Sequence, residues 1–321
     1  MKAVTAGCGV MGRAHGDAYR AKGVELAAVC DADENRAKKL AAEYSCRHYQ
    51  SFSDMLRQEK PDVASICTPA FHHAQGIKEA SEAHCAVLCE KPFVQSCREA
   101  KQAAQWVEKG RIPFRLGFKM RYEACYANAR RILESGEIGA LSYVFISHFQ
   151  PLSQPAWYMD RGVIAELLVH SCDLACWFFG QEPLRVWART QYRLQKEGED
   201  QALLELDFPE AKKAVICGGY MEQFPPVRGK HDFVFQLVGE KGYVAGKRNG
   251  CLEVFSPNRI ETLALEEQNA FEQEIADFLL AAKGKPAEGA DLQVALLSQK
   301  ILEAAALSVR QGKPQELIEF I

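Results

Sequence analysis

The chain opens with short apolar runs of strand length, separated by stretches whose apolar residues recur at helical spacing. Lys2 to Ala6, Val24 to Cys30, Val63 to Cys67 and Ala86 to Cys89 are the strand candidates. Val10 to Lys22, Glu34 to Tyr44 and His72 to Ala83 are the helical stretches, with a small element near Asp54. A further helix starts at Ser96, where Ser96-x-x-Glu99 reads as a capping box. Strands alternating with helices of this length predict right-handed crossovers and a parallel sheet covered on both faces.

Beyond about Gly117 the rhythm changes. Glu123 to Ser135 and Ala165 to Phe179 read as helices, and a run of strand candidates follows the second of them: Leu184 to Leu194, Gln201 to Phe208, Lys213 to Met221, Phe233 to Val238 and Cys251 to Phe255. Gly239-Glu240-Lys241-Gly242 and Asn249-Gly250 supply tight turns. Two amphipathic helices, Asn269 to Ala282 and Asp291 to Arg310, close the chain. Consecutive strands predict an open, mostly antiparallel sheet in an α+β domain over 119–321, whose uncovered face suits self-association into a homodimer or homotetramer.

Composition adds limits. A length of 321 residues exceeds what one core usually organises, and 48% hydrophobic with 25% charged residues is ordinary for a globular enzyme. The formal charge of -3, without a block of Lys and Arg, argues against nucleic acid and anionic membranes as partners. The N-terminus lacks the apolar stretch of a signal peptide and no apolar run reads as a bilayer span, so a cytoplasmic protein is expected. The twelve cysteines, several of them (Cys30, Cys67, Cys89, Cys217) inside apolar patterns, then read as reduced core thiols. No Cys-x-x-Cys occurs, and the Cys172 and Cys176 pair favours packing over a metal, so no metal site is expected.

Candidate chemistry begins at Gly7-Cys8-Gly9-Val10-Met11-Gly12, which follows a strand and opens a helix. Two glycines permit a tight turn and close approach to a pyrophosphate, the third lets helix pack on strand, and the phosphates meet the helix N-terminus. Asp31, 19 positions past Gly12 at the end of the second strand, is placed to accept the adenine ribose hydroxyls and to repel a 2'-phosphate. The pattern therefore predicts a Rossmann domain over 1–118 that takes NAD(H), with Arg36 as the feature that would admit NADP(H). Asp31 also fits a bland role as a capping carboxylate before Glu34. Glu90-Lys91-Pro92 falls directly after a strand, at the carboxyl edge where such sheets hold ligands, and a lysine there can bond a substrate hydroxyl.

With these residues in view, the chain resembles the glucose-fructose oxidoreductase and inositol dehydrogenase family (Gfo/Idh/MocA). The likeness is carried by the glycine loop, Thr68-Pro69-Ala70-Phe71-His72-His73, Val87-Leu88-Cys89-Glu90-Lys91-Pro92, Gly117-Phe118-Lys119-Met120-Arg121-Tyr122, the segment around His170 and the closing Ser308-Val309-Arg310-Gln311-Gly312-Lys313-Pro314. It implies an NAD(H)-dependent oxidoreductase that moves a hydride to or from a carbinol carbon of a sugar, polyol or sugar derivative. It places Gly7, Gly9, Val10, Met11, Gly12, Asp31, Thr68, Pro69, His73, Glu90 and Lys91 at the cofactor. It assigns catalysis to Lys91, His170 and Glu166, and substrate contacts to Lys91, Arg121, Trp157, Tyr158, Arg161, His170 and Asp173.

On an α-helix Glu166, His170 and Asp173 share one face, an arrangement that equally suits a metal or a plain polar face. Trp157 and Tyr158 could instead pack against the sheet. The chain departs from the family pattern at Glu166, where Asp is usual, at Leu168 and Arg161, where Gly is common, and at Ala70, where Asn is common. The family also contains a galactose-pathway transcriptional repressor and glycosidases that use tightly held NAD. A sensor and an NAD-assisted glycosidase are therefore the rival readings.

Overall fold

The computed structural model describes residues 1–152, 162–194, 198–222, 232–248, 250–266 and 268–320. By internal contacts the chain divides into two units, Met1–Lys119 with Asn269–Gln299, and Met120–Gln268 with Lys300–Ile321.

In the first unit six parallel strands take the order β3-β2-β1-β4-β5-β6. They are β1 Lys2–Ala6, β2 Glu25–Cys30, β3 Arg47–Tyr49, β4 Val63–Ile66, β5 Ala86–Glu90 and β6 Phe114–Gly117. Helices α1 Val10–Ala21, α2 Glu34–Tyr44, α3 Phe52–Glu59, α4 His73–Glu82 and α5 Cys97–Gly110 make the crossovers. The apolar pattern had announced neither β3, a polar three-residue edge, nor β6, which carries Arg115 in its middle. At α5 the Ser96 hydroxyl accepts the Glu99 N–H at 3.2 Å, while the Glu99 carboxylate takes the N–H of Gln95 at 3.0 Å, one residue before the cap.

Strand order reverses between β1 and β4, which makes their carboxyl ends the expected ligand crevice. The register pairs Ala6 with both Cys30 and Ile66, Ile66 with Cys89, and Glu90 with Gly117. Gly7, Asp31, Thr68 and Lys91 therefore leave the sheet along one edge.

All of 119–321 was expected in the second domain, yet Asn269–Gln299 belongs to the first unit. The cause is hydrophobic: α8, Ala270–Ala282, buries Ile275, Phe278 and Leu279 in a cluster with Tyr19, Leu26, Val29 and Leu40. The last helix, α9 Leu292–Gln311, begins in the first unit and ends in the second. With 20 residues and a mean hydropathy of 1.3 it is long and apolar enough to cross a membrane, contrary to the expectation from sequence. Here half of that apolar stretch is buried in the fold, Ala295, Ile301, Ala304 and Ala305 among it.

Among the described residues the second unit holds nine strands, β7 Leu141–Pro151, β8 Arg185–Gln191, β9 Gln201–Asp207, β10 Lys213–Met221, β11 Asp232–Gly239, β12 Tyr243–Lys247, β13 Leu252–Phe255, β14 Ile260–Leu263 and β15 Gln315–Glu316. Their order is β14-β13-β12-β11-β7-β10-β9-β8-β15, antiparallel except for the parallel pair β7 and β10. The central strand β7 is not among the strands expected from the pattern, because its outward positions are aromatic too, which blurs the alternation. One face buries Val144, Ile146, Leu204, Ile216 and Leu237 beneath α6, Ala124–Glu134, and α7, Val169–Phe179. On the other, Tyr143 and Phe145 stack in parallel while 39% and 40% exposed, with Val234 and Phe255 also open to solvent.

Candidate active site

The glycine loop divides its three glycines by function. Gly7 has φ +93°, and a Cβ there would lie 2.4 Å from the Cys67 carbonyl oxygen. At Gly12 a Cβ would fall 1.7 Å from the carbonyl oxygen of Gly7. Those two are demanded by the protein's own backbone. A Cβ on Gly9 would meet nothing within 4 Å, so its open side is where a pyrophosphate can approach. Gly9 is also the N-cap of α1, no side chain caps that helix, and its first turn carries no acidic residue, which suits an anion. Val10 stands 79% exposed beside it.

Asp31 ties this loop to the end of β2. Its Oδ2 accepts the Cys8 N–H at 2.8 Å and its Oδ1 the Asp33 N–H at 2.9 Å. A carboxylate oxygen has two acceptor positions, so capacity for ribose hydroxyls remains. The cap of α2 is Asp33, which accepts from Asn35 and Arg36, so the capping role considered for Asp31 falls to its neighbour. Arg36 sits 3.6 Å from Asp31 and 3.1 Å from Asp33. Farther along the edge the Thr68 hydroxyl oxygen is buried with no hydrogen-bond partner among the described residues, and Pro69 follows it in extended conformation. A backbone cradle, an acidic residue at the end of β2 and a spare buried hydroxyl fit a dinucleotide.

Two expected cofactor contacts turn inward instead. His73 is fully buried, its Nε2 2.8 Å from the Thr68 carbonyl and its Nδ1 3.0 and 3.1 Å from those of Pro92 and Phe93. Its ring joins two loops from behind, and burial lowers its pKa against the pull of those carbonyls. Glu90 is likewise buried, with Oε1 3.1 Å from His15 Nε2, while its Oε2 accepts the Lys91 N–H at 3.1 Å. Burial pushes the Glu90 pKa up, but the His15 hydrogen bond and the nearby Lys91 charge more than offset it and hold the carboxyl below its ordinary value.

The ionised acceptor orders a buried chain. The Tyr19 hydroxyl and His15 Nδ1 both lie 2.9 Å from the Ser65 hydroxyl, and His15 Nε2 faces Glu90, whose other oxygen fixes the backbone of Lys91. Sequence reasoning missed His15, Ser65 and Tyr19. The signal was available: Gly12, His15, Gly16 and Tyr19 form one buried stripe of α1, and a histidine on such a stripe requires polar partners.

In the second unit the helix that carries Glu166 and His170 is not continuous α. Ile164–Leu168 is a π turn, with α7 following from Val169. The single α-helical face expected for Glu166, His170 and Asp173 is therefore corrected, because the wider turn inserts a residue before His170; such turns recur at functional sites. All three side chains are buried, His170 at 8% exposure.

Asp173 and Arg121, both expected to touch substrate, are bound to each other. Arg121 Nε and one terminal nitrogen donate to the two oxygens of Asp173 at 2.8 and 2.5 Å. Trp177 lies 5.7 Å from both Arg121 and Arg130. Burial raises the Asp173 pKa and Arg121 only partly counters it. His148 on β7 was missed. It is buried, lies 2.9 Å through Nδ1 from the Ser171 hydroxyl beside His170, and packs edge-on against Phe233. Of the departures, Leu168 is fully buried, and its Cδ2 lies 2.5 Å from where a Cβ on Gly218 would stand, so a glycine on β10 makes room for it. Ala70 begins a short 3-10 turn. Trp157, Tyr158 and Arg161 lie outside the described residues.

A parallel sheet with a glycine turn at its switch point and an acidic residue closing β2 defines a dinucleotide-binding domain, here joined to a second unit with a large mixed sheet. Comparison with known proteins agrees. Residues 1–118 match the oxidoreductase family with an NAD-binding Rossmann fold, and residues 126–245 match the GFO/IDH/MocA C-terminal domain. The chain belongs to this GFO/IDH/MocA family of NAD-binding oxidoreductases.

Among its relatives, the uncharacterized oxidoreductase YrbE of Bacillus subtilis is 27% identical over 96% of this chain and 94% of its own length. An inositol 2-dehydrogenase of Rhizobium meliloti is 26% identical over 75% of this chain and 74% of its own. In fold, an oxidoreductase from Agrobacterium radiobacter, solved in complex with NAD+, L-tartaric acid and magnesium, superposes with a TM-score of 0.91. It is 22% identical and covers 100% of this chain and 99% of that one.

Proposed function

We propose that the protein is an NAD(H)-dependent dehydrogenase acting on a CH–OH group of a sugar, polyol or sugar derivative. The carrying observation is the pairing of roles by burial: Glu90 is held inside by His15 and fixes the Lys91 backbone at the cofactor edge, while Arg121 and Asp173 anchor the helix that carries His170. The names of its relatives, inositol 2-dehydrogenase and D-apiose dehydrogenase, favour the same substrate class.

In this reading the Lys91 ammonium donates a hydrogen bond to the reacting hydroxyl oxygen. An imidazole nitrogen of His170 takes the hydroxyl proton during oxidation and returns it during reduction. Glu166 orients and polarises the groups around it. The nicotinamide, when bound, supplies the hydride chemistry. An NADH absorbance screen over inositols, pentoses, hexoses, amino sugars and sugar acids tests this. NAD binding without NADH formation on any of them would favour a sensor. Loss of a sugar leaving group without net NADH would favour a glycosidase.

Cofactor choice is expected to follow Asp31. NAD(H) binds more tightly than NADP(H), and Asp31→Ala narrows the gap by removing both the ribose acceptor and the repulsion of a 2'-phosphate. Calorimetric titration with both cofactors decides it, and equal or tighter NADP(H) binding by the parent protein would refute the assignment.

Self-association is expected through the open sheet face. Tyr143, Phe145, Val234 and Phe255 expose apolar surface on one face of the sheet, and a second copy covers it by two-fold symmetry. Light scattering should give a dimer or a dimer of dimers at micromolar concentration, whereas a monomer contradicts it.

A further inference from the structure

We infer that Glu199 is a positioning residue that sets the first turn of the helix bearing Glu166 and His170, an inference that rests on the acid-base role proposed for His170. A helix leaves its first N–H groups without intrahelical partners, and an anionic acceptor there is favoured by the helix dipole. In this protein two of those donors are taken by one residue. The Val163 N–H donates to the Glu199 backbone carbonyl at 2.9 Å, and the Ile164 N–H to Glu199 Oε1 at 3.1 Å.

Contact is close on the other side as well. Gly162 has φ +77°, and a Cβ built on it would lie 2.1 to 2.2 Å from the Glu199 carboxylate atoms, so the glycine leaves the space that the carboxylate fills. The carboxylate is largely withdrawn from water, which raises its pKa.

Glu199 is itself held from the sheet. Its neighbour Asp200 donates its N–H to the Gln191 carbonyl at 3.1 Å and accepts the Tyr220 N–H on its own carbonyl at 2.8 Å. The Asp200 side chain also gathers the N–H groups of Arg193 and Leu194. Residues 199 and 200, just before β9, are thus fastened to both β8 and β10, and Glu199 stands as a fixed acceptor beside the helix. The π turn begins at Ile164, the residue whose N–H the carboxylate holds. The phase of the helix is therefore set two residues before Glu166 and six before His170.

The test compares Glu199→Ala, Glu199→Gln, Gly162→Ala and the Gly162→Ala/Glu199→Ala pair in the full chain. Hydrogen exchange needs no substrate: Glu199→Ala should speed exchange over residues 162–170 and leave peptides of the first unit unchanged. Glu199→Gln, which keeps an oxygen acceptor, should retain most of the protection. Gly162→Ala should be damaging alone and less so when Glu199 is already Ala, a non-additivity expected only of groups in contact.

On the substrate found by the screen, Glu199→Ala should lower kcat by about tenfold to a hundredfold through misplacement of the acid-base group, with NAD affinity within about twofold of the parent because Glu199 lies outside the cofactor residues. Unchanged exchange over 162–170, equal loosening of both units, or Glu199→Gln as harmful as Glu199→Ala would each overturn the inference. Parental turnover in His170→Ala would instead remove the acid-base reading and the catalytic consequence with it, whereas the exchange result tests the contact between Glu199 and the helix whatever His170 does.

Discussion

Replacing Lys91 or His170 with alanine should lower turnover by at least about a hundredfold, the scale of a lost acid-base or hydroxyl-positioning group. NAD affinity should stay nearly unchanged in both. Neither residue belongs to the phosphate and ribose site, which the glycine loop and Asp31 form. Glu166→Gln should fall between these variants and the parent, because it keeps size and polarity while losing charge. If His170 accepts the hydroxyl proton, oxidation should speed up with pH as the imidazole becomes neutral, and that limb should vanish in His170→Ala. Steady-state kinetics on the substrate found by the screen decides the matter. Near-parental turnover in both alanine variants would mean that the family roles do not transfer to this chain.

Stability should suffer most at the buried pair. Arg121→Met leaves the Asp173 carboxylate buried without its counter-ion, a change expected to cost about 3–5 kcal/mol, whereas Arg121→Met combined with Asp173→Leu should recover most of it, since an apolar pair of similar volume replaces a desolvated ion pair. The pH dependence has a definite sign. Burial already raises the Asp173 pKa, and losing Arg121 raises it further, so the folded single variant binds a proton more readily than the unfolded chain. Its deficit should therefore shrink as pH falls through that raised value and be largest above it. Urea denaturation of the parent, single and double variants at several pH values measures this. A single variant as stable as the parent would show that the pair carries no such weight.

The parallel domain, the glycine turn, the acidic residue at the end of β2 and the position of Lys91 after β5 were legible along the chain. Each depends on local chemistry: a backbone that only glycine can follow, or an apolar run that ends in a polar residue at the sheet edge. Long-range packing settles what those local rules do not reach. Arg121 and Asp173 lie 52 residues apart and His15 and Glu90 75 apart, so nothing in their own neighbourhoods announces the pairing. Each was legible only as a polar residue, and burial then forced it to find a partner.

The same holds for His73, which the motif placed at the cofactor and the packing turned toward three backbone carbonyls. It holds for α8, whose apolar face was evident from its periodicity although its return to the first unit was not. The π turn before His170 is the sharpest instance. Helix-forming residues fill Ile164–Leu168, and it is the packing of Leu168 against Gly218, with the N–H groups of Val163 and Ile164 held by Glu199, that accompanies the wider turn. Local composition specifies that a helix forms; contacts with distant strands set the direction in which its polar side chains point.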